Sequence, residues 1–203
     1  MTPDALPTKA SGTFSICVYC GSRPGANAAY AQQARLVGQL IAQRGWQVVY
    51  GGGHCGLMGE VADGALGHGG RVIGVIPQSL LAHEVGHRGL TELHVVDNMH
   101  DRKRLMAERA DAFLALPGGI GTFEELFEVW TWRQLGYHRK PIGLLNVAGY
   151  YDALLGFMQQ TVQQGFLSAA QQEQVMVDTA PDRILDALHA QGTAGQVADY
   201  ARI

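Results

Sequence analysis

The sequence is poor in lysine, in cysteine and in surplus charge of either sign. Lysine occurs only at Lys9, Lys103 and Lys140, which leaves few places for the Schiff base that pyridoxal-phosphate chemistry needs. With 15 basic against 18 acidic residues the net charge is −3, so neither nucleic acid nor an anionic membrane surface is an expected partner. No apolar run approaches the roughly 20 residues of a membrane-spanning helix. No Gly-Lys-Ser/Thr follows any glycine loop, which excludes a Walker-type NTPase. The cysteines are Cys17, Cys20 and Cys55. The first two form a C-x-x-C at the end of the apolar run 14–19, not at a helix start, where a dipole would lower a thiol pKa. They read as reduced structural thiols of a cytoplasmic protein, with no metal site implied.

What the sequence has in quantity is hydrophobic residues, 47% of the chain, and glycine, 27 residues. In a chain of 203 residues that suffices for one sizeable core. Residues 1–12 lack a long apolar core and are expected to be a flexible tail rather than a secretion signal. Residues 13–190 form the expected single domain, and the polar, Gly/Ala-rich residues 191–203 a mobile tail. Strands are expected over 14–20, 46–50, 71–76, 93–96, 112–116, 141–145 and 174–177. Helices are expected over 27–44, 57–66, 100–109, 122–135, 150–164 and 181–190. Most strand runs are nearly all apolar, as in parallel sheets covered on both faces. The alternation predicts an α/β fold, a doubly wound parallel sheet with helices on both faces.

The glycines cluster where apolar runs end. Three such loops are Cys20-Gly21-Ser22-Arg23-Pro24-Gly25, Gly51-Gly52-Gly53-His54-Cys55-Gly56 and Pro117-Gly118-Gly119-Ile120-Gly121-Thr122. Ligands of doubly wound sheets bind beyond the carboxyl ends of the strands, so the three can converge on one crevice. In the third, glycines let backbone N–H groups approach an anion, and the following helix favours negative charge at that end. Thr122 adds a hydroxyl for a cap or a phosphate oxygen. Ser22, Gly52 and Gly118 to Thr122 are thus candidate phosphate-binding residues. Glu124 and Glu125 follow within one turn; a carboxylate there either complements the helix dipole or acts on a phosphorylated substrate.

Upstream, residues 99, 102, 103, 106 and 110 share a helix face, so Arg102 projects from a largely apolar side beside Met99 and Lys103. It either snorkels to solvent or reaches a buried carboxylate or ligand. Arg104 and Arg109 are expected on solvated sides. On the next helix Phe123, Leu126, Phe127 and Trp130 form the stripe expected to face the sheet. Glu125, Val129 and Trp132 form a second stripe that needs another cover, most simply a homodimer.

Pro117 to Glu125, with Arg102-Lys103 upstream, matches P-G-G-x-G-T-x-x-E with its R-K pair. Together with Cys20-Gly21-Ser22, Gly51 to Gly53, Gly56-Leu57-Met58-Gly59 and Gly143-Leu144-Leu145-Asn146, the chain resembles the LOG ("lonely guy") family of cytokinin riboside 5′-monophosphate phosphoribohydrolases. The resemblance runs from about Ser15 to about Leu167. It implies a Rossmann-like fold, a homodimer, no cofactor, and hydrolysis of the N-glycosidic bond of adenosine-type monophosphates, either AMP or an N6-substituted nucleotide. It further implies catalytic roles for Arg102 and Glu125. Substrate contacts are implied for Glu84, Lys103, Gly119, Ile120, Gly121, Thr122, Phe123, Glu124 and Thr131. The residue types suit the reaction: a carboxylate beside the ribose stabilises developing positive charge and activates water, while an arginine stays protonated and orients.

Two other readings stand beside this one. A catalytically inert nucleotide-binding protein would use the same glycine loops without needing Glu125. His83-Glu84-Val85-Gly86-His87 matches the zinc-hydrolase pattern H-E-x-x-H. However, Gly86 weakens the helix that pattern requires by about 1 kcal/mol relative to Ala. Gly89 falls one residue early and His94 one residue late for its extended form.

Overall fold

The computed structural model describes residues 12–81 and 86–192. Residues 1–11 and 193–203 of the two expected tails lie outside the described residues, as do His83 and Glu84. The strands are β1 (Ser15–Tyr19), β2 (Gln47–Tyr50), β3 (Arg71–Pro77), β4 (Glu92–Val96), β5 (Ala112–Ala115), β6 (Ile142–Leu145) and β7 (Val175–Asp178). All pair in parallel, in the order β4-β3-β2-β1-β5-β6-β7. The helices are α1 (Ala28–Gln43), α2 (Gly56–Leu66), α3 (Gln78–Leu81), α4 (Met99–Arg109), α5 (Ile120–Gln134), α6 (Asp152–Gln163), α7 (Ala169–Gln172) and α8 (Pro181–Gly192). Every expected strand and long helix is present, with ends shifted by a residue or two. The single-turn helices α3 and α7 carry no periodicity and were not foreseen.

Strands β1, β2, β5 and β6 are buried along their whole length. Because successive side chains point to opposite faces, two cores result. Ile16, Val18, Val48 and Leu114 pack with Val37 and Ile41 of α1, Val61 of α2 and Leu185 of α8. Cys17, Tyr19, Val49 and Phe113 pack with Leu105 and Met106 of α4, Leu126 and Val129 of α5 and Met158 of α6. Each buried aliphatic or aromatic side chain stabilises the fold by about 1.5–3 kcal/mol, so the sheet is the spine of two hydrophobic layers. The edge strand β4 departs from two-sided burial: Leu93 and Val95 are exposed, and Arg71 pairs with Glu92 at 2.8 Å along that edge, a charged border of the kind that discourages edge-to-edge association.

Two expectations about helix faces are corrected. On α5, Val129 and Trp132 of the second stripe are buried within the chain, while Phe127, assigned to the sheet, is exposed. The helix is held on both sides: Lys103 of α4 donates to Glu124 and Glu128, and Trp130 Nε1 donates to Gln171 O of α7. An intrachain cover therefore accounts for Val129 and Trp132 of the second stripe, and Phe127 of the first stays open. On α4, Arg109 is buried, its guanidinium 3.8 Å from Glu92 Oε2 across to the edge strand; Arg104 is solvated, pairing with Asp101 and Glu108.

Candidate active site

The chain winds outward from β1 to β4, then returns to lay β5 against the other side of β1. At that reversal the connections leave in opposite directions and a crevice opens beyond the strand ends. A cleft of about 340 Å³ lies there, and the three glycine loops meet in it: Ser22 and Arg23 after β1, Gly51 after β2, and Gly119 to Thr122 after β5. Arg102 and Glu125 complete its wall, with Val18, Cys20 and Met58 beneath.

Helix α5 begins at Ile120 with Gly119 as its N-cap, and no side chain caps it. Its first turn closes with Phe123 N–H donating to Gly119 O at 3.1 Å. The amides of Gly119, Ile120, Gly121 and Thr122 precede that bond and have no acceptor within the helix. They present donors and the positive end of the helix dipole to the cleft. The turn is tight enough to require glycine: a Cβ on Gly118 would lie 2.1 Å from Thr122 Oγ1 and 2.8 Å from Gly21 N.

Glu125 lies in the second turn of α5, not the first, so complementing the helix dipole does not account for it. It is buried, with Oε1 3.7 Å from Arg102 Nη1. That is an ion pair too long to be a hydrogen bond. Arg102 is buried as well; its Nε donates to Val75 O at 3.2 Å. Of the two alternatives for Arg102, the structure has the buried one, beside a carboxylate and not snorkelled to solvent. Gly51 makes room for this, since a Cβ there would lie 2.0 Å from the guanidinium. Beneath Glu125, burial and then its negative charge push the Cys20 thiol up; burial chiefly does the same at Cys17. Both thiols are free and buried, as expected, whereas Cys55 is exposed.

Of the other residues proposed from the sequence, Ser22 and Gly119 to Thr122 line the cleft. Gly52 sits behind Gly51 in a left-handed conformation, φ 78°, against Ile76 and Leu93. Gly118 forms the back of the turn and borders a neighbouring apolar groove with Tyr30 and Tyr150. Met99 is exposed at the start of α4, its sulfur 3.9 Å from Arg102 Nη1. Lys103 points the other way, donating to Glu124 Oε1 at 2.6 Å and Glu128 Oε1 at 2.8 Å. Thr131 is exposed on α5, and Phe123 stands edge-on to Tyr151. Within one chain, then, Lys103, Glu124 and Thr131 gather on the outer side of α4 and α5. Arg23, Gly51 and Met58 line the cleft without having been singled out. Each lies in a glycine segment already noted, which pointed to the loop but not to the residue.

Of the H-E-x-x-H match, His87 is described. Its backbone N–H donates to Gly52 O, and Gly86 bridges to Gly53, fastening this segment to the second glycine loop. His54, Asp63 and His87 bring potential ligand atoms within 4.8 Å of one another. The His87 ring is already committed, however. Nδ1 accepts from Gly89 N–H at 3.1 Å, so Nε2 carries the proton and donates to Asp63 Oδ1 at 3.0 Å. A metal-bound imidazole donates through its second nitrogen; this one accepts there.

Residues 58–188 match the protein family described as possible lysine decarboxylase. The chain is 51% identical over 164 residues to the cytokinin riboside 5′-monophosphate phosphoribohydrolase of Rhodococcoides fascians, spanning 80% of this chain and 83% of that one. It is 53% identical over 154 residues to the cytokinin riboside 5′-monophosphate phosphoribohydrolase LOG7 of Arabidopsis thaliana, 75% of this chain and 70% of that one. Among solved structures, the molybdenum cofactor binding protein of Rippkaea orientalis superposes with a TM-score of 0.67 at 22% identity, covering 89% of this chain and 98% of that one. That likeness speaks to the fold alone.

Proposed function

The chain belongs to the LOG family of cytokinin riboside 5′-monophosphate phosphoribohydrolases, and from that premise we propose that it hydrolyses the N-glycosidic bond of adenosine-type 5′-monophosphates to free base and ribose 5-phosphate. The observation that carries this reading is the Arg102–Glu125 pair buried in the wall of the same cleft as the uncapped amides of α5. In it the amides of Gly119 to Thr122 hold the 5′-phosphate, which brings the ribose toward Glu125. As the C1′–N9 bond breaks, its electron pair leaves on the base and positive charge develops over C1′ and the ring oxygen. The Glu125 carboxylate stabilises that charge and accepts a proton from the water whose oxygen bonds to C1′; the departing base takes up a proton from solvent and leaves neutral, and Glu125 returns its proton to solvent. Arg102 remains cationic and orients Glu125.

Among the described residues, decarboxylation of lysine finds no lysine placed to carry it. Lys103 is held by Glu124 and Glu128 away from the cleft, and Lys140 is buried with Nζ donating to Ala107 O at 2.7 Å. No described lysine lines the cleft. A homodimer in the cytoplasm completes the proposal; among the described residues no helix is long and apolar enough to cross a membrane.

The test is chromatography of products after incubation with AMP, N6-isopentenyl AMP and adenosine. Free base with ribose 5-phosphate from either nucleotide, and far slower turnover of adenosine, is the expected result. The ratio of the two nucleotides ranks the substrates. Intact nucleotides after prolonged incubation would return the protein to the inert-binder reading, and equal turnover of AMP and adenosine would deprive the α5 turn of its role.

A further inference from the structure

Two adjacent tyrosines outside the cleft reach the backbone of the turn from behind. Tyr151 OH donates to Leu116 O at 2.6 Å, and Tyr150 OH donates to Gly118 O at 2.5 Å. Between them, Pro117 O accepts from Gly21 N–H at 3.0 Å. Three consecutive carbonyls are thus tied down, Leu116 O and Gly118 O by the tyrosines and Pro117 O by the first glycine loop. A trans peptide is planar, with its C=O and N–H pointing in opposite directions. Fixing Gly118 O therefore aims the N–H of Gly119, which shares that peptide, the opposite way, and Gly119 lines the cleft.

The two hydroxyls are themselves braced. Asn146, directly after β6, accepts from Tyr151 N–H at 2.8 Å and donates to Asp152 Oδ1 at 2.7 Å. Between them Ala148 adopts φ 51°, a conformation that costs a non-glycine residue energy and persists where the surroundings enforce it. Tyr151 is fully buried, and burial pushes its phenol up, so its O–H remains a donor. Tyr150 is more exposed, but its ring is held edge-on by Tyr30, at 5.6 Å, and by Tyr151, at 4.9 Å.

We propose that Tyr150 is a positioning residue for phosphate recognition: its hydroxyl, acting through the Gly118–Gly119 peptide, sets the direction of the first amide donor at the α5 N-terminus, with Tyr151 fixing the preceding carbonyl. The inference rests on the reading that this turn receives the 5′-phosphate. Tyr150 touches no substrate in this scheme. Removing its hydroxyl should loosen the donor in ground state and transition state alike, which raises KM and leaves kcat.

The experiment compares wild type with Tyr150→Phe, which keeps the ring and its packing. The expected result is a rise in KM for AMP of about 3–10-fold, the worth of one neutral hydrogen bond, with kcat within about twofold. The Kd for ribose 5-phosphate by calorimetry should rise in parallel, and the inhibition constant of adenosine should stay at its wild-type value. An unchanged ribose 5-phosphate affinity in Tyr150→Phe overturns the proposal. So does an equal weakening of adenosine, which would signal general damage to the cleft. Calorimetry needs no turnover, so the two readings fail separately. A wild type that binds ribose 5-phosphate but cleaves no nucleotide defeats the proposed reaction, not the role of Tyr150. A wild type that cleaves AMP while Tyr150→Phe binds ribose 5-phosphate normally defeats the role of Tyr150 alone.

Discussion

A carboxylate and a guanidinium, both nearly removed from water and 3.7 Å apart, form an ion pair in the wall of the cleft. Glu125→Gln keeps the shape and removes the charge. Turnover of AMP should then fall by about 2–4 kcal/mol, roughly 30- to 1000-fold, as expected when one preorganised electrostatic group is lost. Steady-state kinetics should show the loss in kcat with KM within a few-fold. A variant that turns over normally would remove Glu125 from the chemistry. As candidates these two residues were legible in the sequence, because Glu125 follows a glycine turn and Arg102 interrupts an apolar helix face; their catalytic roles came from the family resemblance. Gly51 was not legible as a site residue. Its importance comes from a guanidinium arriving from residue 102 to occupy the space a side chain would fill, and no local pattern announces so distant a partner.

At the level of elements, the seven strands were readable because parallel strands buried on both faces are runs of apolar residues and little else. The faces of α5 were misread for a related reason. Apolar residues on two sides of a helix say that it is covered twice, not by what, and here α4 and the α6–α7 segment do the covering. The end of α5 also carries a titratable group. His138 is buried; its Nε2–H donates to Val129 O at 2.9 Å, and its Nδ1 accepts from Lys140 N–H at 3.1 Å. The second bond requires the neutral ring, because Nδ1 accepts only when unprotonated. Burial holds its pKa down to about 4, against the opposing effect of the Val129 bond and with lesser help from the charges of Lys140 and Arg133. The folded state thus binds fewer protons than the unfolded chain between the ordinary histidine value of about 6.5 and about 4. Its contribution to stability is complete above that window and is lost as pH falls through it. Urea titrations should show stability about 1–2 kcal/mol lower at pH 5 than at pH 7 from this group, and His138→Asn should shrink that difference. The same drop in the variant would assign the pH dependence to other groups.

For the molecule as a whole, the strand order determines where the cleft lies, and the exposed residues bear on what the chain docks against. The outer side of α4 and α5 exposes Met99, Phe127 and Leu135. It also carries Lys103, Glu124 and Thr131, which one chain keeps out of its own cleft. A twofold association through this side would cover the first group and set the second near a partner's cleft. Trp132, the residue the sequence pointed to as an interface probe, is buried in its own chain, and a charge there would break the fold before it broke a dimer. Phe127 is the better probe. Phe127 keeps 38% of its surface exposed, so two copies buried across a twofold axis are worth about 1–2 kcal/mol, and carboxylates in their place add a desolvation cost; Phe127→Glu should weaken a dimer by at least about 10-fold while circular dichroism stays native. Sedimentation at micromolar concentration should find wild type dimeric and the variant shifted to monomer, with AMP hydrolysis falling alongside. A monomeric wild type would leave Phe127 an ordinary exposed side chain. A monomeric variant with full activity would separate assembly from catalysis, and Lys103, Glu124 and Thr131 would then have no route to a substrate.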